Sequence, residues 1–340
     1  MSSDPEIRRE QSKKIQILRA FSIIAVVMIH TCALGAVGVV IRPFLNFAVA
    51  LFLGLSGYLT RVDIPDIRAF YKKRLLRVFL PYTIWSFIYT AVHGTWTDLP
   101  LDFVTGYACG AFYYISVYMQ LTLLAPLVGR MVRSRYRSLG LLITPAAICF
   151  EYVLEIMGHG LPKPYNEVFF PVWFIFFFTG MILRDDIDHG RTDLFTNPSR
   201  RGYFLRGLAV SFAMTICGQI IENALWKYFG NGHMAYTQIK LGAMTTSLVV
   251  IFTAVAWISD RRKIPFSTRT VNALVGLGNI SFGIYLTHIL CKDLLSKSLW
   301  SAVEMAFPLT GIVVLVVDAA AVLLMRFVLG KKVSRVLGLI

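Results

Sequence analysis

Apolar stretches long enough to cross a lipid bilayer follow one another along this chain with short polar intervals between them. Windows of about 20 residues, the length a helix needs for a hydrocarbon core of about 30 Å, place spans at 17–39, 44–60, 74–94, 106–128, 139–157, 167–183, 203–222, 238–259, 272–292 and 305–327. The expected fold is therefore an all-α polytopic membrane protein of about ten transmembrane helices. A composition of 56% hydrophobic against 16% charged residues excludes an ordinary soluble domain.

The cations test this division, because Lys and Arg collect in cytoplasmic loops. Of the 34 basic residues, 28 fall on one side of the expected topology. The other side holds only Arg42, Lys163, Lys227, Lys240, Lys292 and Lys297. Both termini are then cytoplasmic, with residues 1–16 a cytoplasmic N-terminal segment, 328–340 a cytoplasmic tail, and 1–340 a single transmembrane domain. The net charge of +15 follows from positive-inside topology and contact with membrane lipids, so it calls for no nucleic-acid partner.

A basic start, an apolar core and "ALGA" at 33–36 imitate a signal peptide. The histidine close by favours a retained first helix. Cys32, Cys109, Cys149, Cys217 and Cys291 show no metal-ligand spacing and read as small apolar residues. The polar stretch "RDDIDHGRTDLFTNPSRRG" at 184–202 reads as a solvated loop. "GLSG" at 54–57 lacks the second glycine of a nucleophile elbow, and its glycines read as helix-packing positions, as do Gly106 and Gly110. No phosphate loop, zinc-protease or dinucleotide motif is present.

Within the first span, "LRAFSIIAVVMIHT" at 18–31 carries Arg19 and His30. Eleven residues at about 100° each make three turns plus about 20°, so the two share a helix face about 16 Å apart along the axis. Arg19 falls at the cytoplasmic edge and His30 past mid-membrane. An ionisable side chain at that depth is costly and faces the bundle interior. Both a functional imidazole and a neutral one hydrogen-bonded to a neighbouring helix fit this placement.

This Arg, ten residues, then His resembles the first helix of the acyltransferase 3 family of integral membrane enzymes, which acylate glycans and other extracytoplasmic acceptors. The resemblance continues through "LFLGLSGYL" at 51–59, "YKKRLLRVFLPY" at 71–82, "YYISVYMQLTLLAPL" at 113–127, "WFIFFFTGMIL" at 173–183 and "SFGIYLTHIL" at 281–290. In the fourth block Tyr113 and Tyr114 stand where the family usually has a tryptophan.

The resemblance implies transfer of an acyl group, acetyl by default and succinyl as an alternative, from cytoplasmic acyl-CoA to a glycan or glycolipid hydroxyl. Acyl-CoA is then a co-substrate, no cofactor is held tightly, and a bacterial inner membrane is the expected site. Arg19, with Arg74 and Arg77 in the family's Arg-x-x-Arg element, would bind the donor phosphates, since Arg74 and Arg77 lie three apart on one helix face. His30 would act as general base and acid, or carry the acyl group covalently. Glu151 of the fifth span and Ser281, Tyr285 and His288 of the ninth fall at a similar depth and would support His30 or bind the acceptor. Glu155 shares the face of Glu151, Asp318 is an isolated mid-membrane acid without an assigned role, and His93, His159, His189 and His233 are expected to be solvated. A proton-coupled transporter or flippase is the rival from another class.

In a cysteine-free background, Ser134→Cys and Lys263→Cys should be protected from an impermeant thiol reagent in intact cells, while Asp98→Cys and Asn231→Cys should react. The reverse labelling pattern contradicts the orientation.

Overall fold

The computed structural model describes residues 5–32, 34–192, 194–195, 197–298 and 307–340. Ala33 of the "ALGA" stretch, Asp193 and Thr196 of the 184–202 loop and the first residues of the 305–327 span lie outside the described residues. All regular structure among the described residues is helical. In chain order the helices are α1 (Pro5–Thr31), α2 (Ala36–Ile41), α3 (Phe47–Tyr58), α4 (Ile67–Arg74), α5 (Leu76–His93), α6 (Leu99–Thr105), α7 (Tyr113–Arg133), α8 (Arg137–Gly140) and α9 (Ile143–Ile156). They continue with α10 (Tyr165–Val168), α11 (Phe174–Asp188), α12 (Pro198–Tyr228), α13 (Gly232–Tyr236), α14 (Leu241–Ser259), α15 (Thr268–Asn279), α16 (Ser281–Ser298) and α17 (Leu309–Val336).

Eight helical units among the described residues are long and apolar enough to cross a membrane, and a ninth is formed if α15 and α16, bent by 71° at Ile280, count as one span. The sixth expected span, 167–183, is different. Phe170–Val172 form a 3-10 turn around Pro171, so the α-helix starts only at Phe174 and runs 15 residues. Its side chains from Phe174 to Leu183 are all buried, which makes α11 a core helix wrapped by its neighbours.

The first helix is enclosed in the same way. Between Lys14 and Ile29, α1 buries side chains on every face, packed against α3, α14, α15, α16 and α17. Glycines set the closest approaches. A Cβ on Gly57 would stand 2.0 Å from the Phe177 carbonyl oxygen and one on Gly180 2.1 Å from that of Gly54, so α3 and α11 touch backbone to backbone. Gly278 similarly meets the Gln16 carbonyl, which brings α15 against α1. Gly106 has φ +77° and a close Phe112 carbonyl, ending α6 in a left-handed cap, whereas Gly110 faces open space and is no packing glycine.

Polar contacts gather the basic segments at one end of the bundle. The buried Lys14 ammonium donates to the carbonyls of Trp257 (3.2 Å), Asp260 (2.8 Å) and Arg262 (3.0 Å), capping the C-terminus of α14. Arg201 pairs with Asp260 at 2.8 Å, Arg133 with Asp63 at 2.7 Å and with the buried Asp185 at 3.2 Å, and Arg137 with Asp186. Segments that the charge distribution assigned to one side of the membrane thus meet one another. The segment expected as a tail is docked into the bundle: α17 breaks at Gly330, the Trp85 indole donates to the Leu337 carbonyl at 3.1 Å, and Leu339 is fully buried.

Gly57→Leu or Gly180→Leu should destabilise the protein by more than the 1–3 kcal/mol of ordinary overpacking, because the obstacle is backbone that cannot rotate away. Thermal unfolding in detergent checks this, with Gly110→Leu expected to stay near wild type.

Candidate active site

His30 occupies the last turn of α1, half-buried, with one side open to a cavity of about 450 Å³. The wall of that cavity is supplied by short helical pieces and the turns beside them: Arg42 after α2, Lys163 and Glu167 around α10, Trp173 ahead of α11, and His233 and Tyr236 of α13. Tyr113, at the start of α7, stacks on Trp173 with ring centroids 5.6 Å apart and completes an aromatic face.

Behind His30 lies His288 of α16, its ring centroid 5.1 Å from that of His30. Its Nδ1 is 2.9 Å from the Tyr285 carbonyl and 3.1 Å from that of Ile284. Carbonyl oxygens only accept, so Nδ1 carries the proton and Nε2 presents a lone pair. That Nε2 is buried and has no hydrogen-bond partner among the described residues. An unpaired acceptor beside a second imidazole costs free energy unless something donates to it.

The remaining expected residues divide between the two ends of α1. At the far end Arg19 is half-buried, with Tyr114 and Tyr118 beside it and Arg77 and Arg74 within electrostatic reach. Arg74 donates to the Leu59 carbonyl at 2.8 Å, and Arg77 is exposed. The three arginines therefore form one cationic rim, separated from His30 by eleven residues, or about 16 Å, of α1.

Near the cavity, Tyr285 is buried with its hydroxyl bonded to the Ala111 carbonyl and its ring against Tyr114 (5.3 Å) and His288 (5.9 Å). It supports His288 and has no hydroxyl to offer an acceptor. Ser281 sits at the elbow between α15 and α16, seven residues or about 10 Å before His288 along the helix, and does not line the cavity. The 71° bend removes it from the depth that a straight ninth helix would give.

Glu151 is buried next to Asn166 and Glu155 and also stands back from the cavity wall. Asn166 Nδ2 lies 3.4 Å from His233 Nε2, and Glu155 lies 3.8 Å from His233 Nδ1, so these carboxylates reach the cavity through His233. His233 is itself a correction, since it was expected to be solvated. Asp318 accepts from Thr287 at 2.7 Å, one residue from His288, and keeps its other oxygen buried and unpaired among the described residues.

A family model described as an acyltransferase domain matches residues 12–326. The chain belongs to the acyltransferase 3 family. The match runs from Ser12 in α1 to Arg326 in α17, so the arginine rim, the histidine pair and the cavity all lie inside it. No curated protein and no solved structure matches the chain. Membership favours one of the two classes that the buried ionisable groups allowed: this is an integral membrane acyltransferase.

The sequence reading of this acyltransferase missed Arg42, Lys163, His233, Trp173 and Tyr236. A signal for the first two was present. Both belong to the six cations left on the poorly basic side, where topology supplies no reason for them.

Proposed function

We infer that this acyltransferase moves an acyl group, acetyl by default, from cytoplasmic acyl-CoA to a hydroxyl of a glycan or glycolipid held in the outer cavity. The observation that carries the reading is the placement of His30 at the cavity end of α1 and of the arginine rim about 16 Å away along the same helix. The phosphates of acyl-CoA match a site made of Arg19, Arg74 and Arg77, through charge-assisted hydrogen bonds. The pantetheine arm is thin enough to enter the bundle from that rim and bring its thioester to His30. The stacked pair of Tyr113 and Trp173 offers an apolar ring face of the kind that packs on the C–H face of a sugar.

The chemistry then needs one base. The acceptor hydroxyl oxygen attacks the thioester carbonyl carbon while His30 takes its proton. The C–O bond forms, the C–S bond breaks, and the proton passes to the departing thiolate to leave free CoA. His30 must be neutral at the start with a lone pair toward the hydroxyl. The unpaired lone pair of His288 Nε2 is not bonded to His30 in this structure, but its ring stands 5.1 Å from that of His30, so a small turn of either ring would let His30 donate its other N–H there and would make His288 the residue that sets the His30 tautomer. Tyr285 and the backbone carbonyls fix His288 in turn. The resulting setting is a bacterial inner membrane with donor inside and acceptor outside, and membrane lipids are the constant partner.

His30→Ala should give a folded protein that still binds acyl-CoA and has lost turnover by about 10²–10⁴, the contribution of a positioned acid or base. If His30 only holds helices together, the loss is about 1 kcal/mol of stability with transfer kept. Measuring donor affinity, thermal stability and label transfer from radiolabelled acetyl-CoA on one purified variant separates these.

Arg74→Ala and Arg77→Ala should each raise the KM for acyl-CoA with little change in kcat, since each removes a phosphate contact of about 1.5–3 kcal/mol. Wild-type kinetics in both variants, at low and at high salt, would leave these arginines with topology alone.

A further inference from the structure

The side of the bundle that holds the cavity is poor in cations, yet those it has are drawn to one place. Arg42 and Lys163 line the cavity, and Lys292 lies behind it with its ammonium 3.5 Å from the His30 carbonyl. Three of the six cations on this side therefore stand around one histidine. Topology opposes them here, and Arg42 and Lys292 are only partly exposed, so each of these two carries a cost that an opposite charge relieves.

The carboxylates around the cavity do not supply enough of it. Glu167, which also lines the cavity, is taken by Lys163 at 2.7 Å. Glu155 accepts from Asn231 at 2.6 Å and faces His233 at 3.8 Å. Glu222 accepts from the Tyr152 hydroxyl and from Gly242 N at 3.0 Å. No carboxylate pairs with Arg42 or Lys292 among the described residues.

Arg42 is oriented by its contacts without being neutralised by them. It donates to the Tyr236 carbonyl at 2.8 Å and to the Ile29 carbonyl at 3.2 Å, and its guanidinium lies 5.6 Å from the Tyr236 ring centroid. Ile29 is the residue before His30, so the guanidinium is fixed beside the reacting group. The Cys32 side chain makes a further hydrogen bond with the guanidinium, but sulfur is a weak acceptor, and the Arg42 Nε is buried without a partner among the described residues.

We propose that the cavity selects an acceptor bearing an anionic group, a carboxylate or a phosphate, next to the hydroxyl that is acylated, with Arg42 as the anchoring cation and Lys163 cancelling the negative charge of Glu167, which would otherwise repel the anion. This rests on the reading of the cavity as the acceptor site and adds what that acceptor must carry. A planar guanidinium suits either oxyanion. The carboxylate would come from an acidic sugar and the phosphate from a phosphate-linked one. Anchoring the anion fixes the distance of the neighbouring hydroxyl from His30, which is how a positioning contact enters kcat/KM.

The test uses methyl glucoside, methyl glucuronide and glucose 1-phosphate as probes, titrated calorimetrically onto the full-length protein in detergent. CoA is kept at saturation so that the arginine rim is occupied. At least one anionic probe should bind ten-fold or more tighter than the neutral sugar, and the advantage should shrink as salt is raised. Which anion gains identifies its source. Arg42→Gln should abolish most of the preference. Because Arg42 also caps α1, Lys163→Gln, whose side chain is exposed, provides a second variant that should reduce the preference without threatening the fold.

No advantage for either anion in the wild type, including no measurable anion binding, overturns the proposal, as does a preference that survives in both variants. Thiol release from acetyl-CoA is followed in parallel. A salt-sensitive anion preference without thiol release to any sugar keeps the anion site and sinks the transferase reading of the cavity. Thiol release with equal kcat/KM on neutral and anionic sugars does the reverse.

Discussion

The cost of holding ionisable side chains inside hydrocarbon organises this molecule. Arg19 and His30 stand on one face of α1, and neither can face lipid cheaply, so α1 has to be enclosed. The rest of the bundle achieves that enclosure. Backbone contact at Gly57 and Gly180 draws α3 and α11 together, Gly278 brings α15 against α1, and Lys14 ties the first helix to the end of α14. A helix with so little freedom to shift holds its two functional ends at a fixed separation, which is what a donor site and an acceptor site at opposite ends require.

The same cost explains why the polar groups beyond α1 come in supporting pairs. His288 would be an isolated buried imidazole if its Nδ1 did not meet two backbone carbonyls, and its unpaired Nε2 faces the neighbourhood of His30, whose ring stands 5.1 Å away. His233, between Asn166 and Glu155, does a comparable service for the outer wall. Under the proposed reading, transfer to a hydroxyl asks of the protein chiefly one imidazole in the right tautomer, the role given to His30.

Much of this was legible in the sequence, for reasons that can be named. The eleven-residue interval between Arg19 and His30 fixes their face and separation through helix geometry alone, and the depth of His288 follows from the entry point of its span. The clustering of basic segments at one end follows from the charge count. The elbow at Ile280 was not legible, because a hydropathy window over 272–292 reads the same for a straight helix as for a bent pair, and Ser281 was misplaced as a result. Nor was the cavity wall. The short pieces α2, α10 and α13 are too brief to give a periodic signal, and Arg42, Lys163 and His233 ride on or beside them. The burial of Leu339 depends on a chain reversal after Gly330 that composition does not encode.

The central claim is that one buried helix joins a donor site on one membrane face to an acceptor site on the other. Purified protein reconstituted in a single orientation into sealed vesicles tests it most directly, with labelled acetyl-CoA added to the face bearing the termini and glycan acceptor supplied either to the same face or across the membrane. The account predicts acylated product only when donor and acceptor are on opposite sides. Product formed with both on the same side, and none across the membrane, would contradict it.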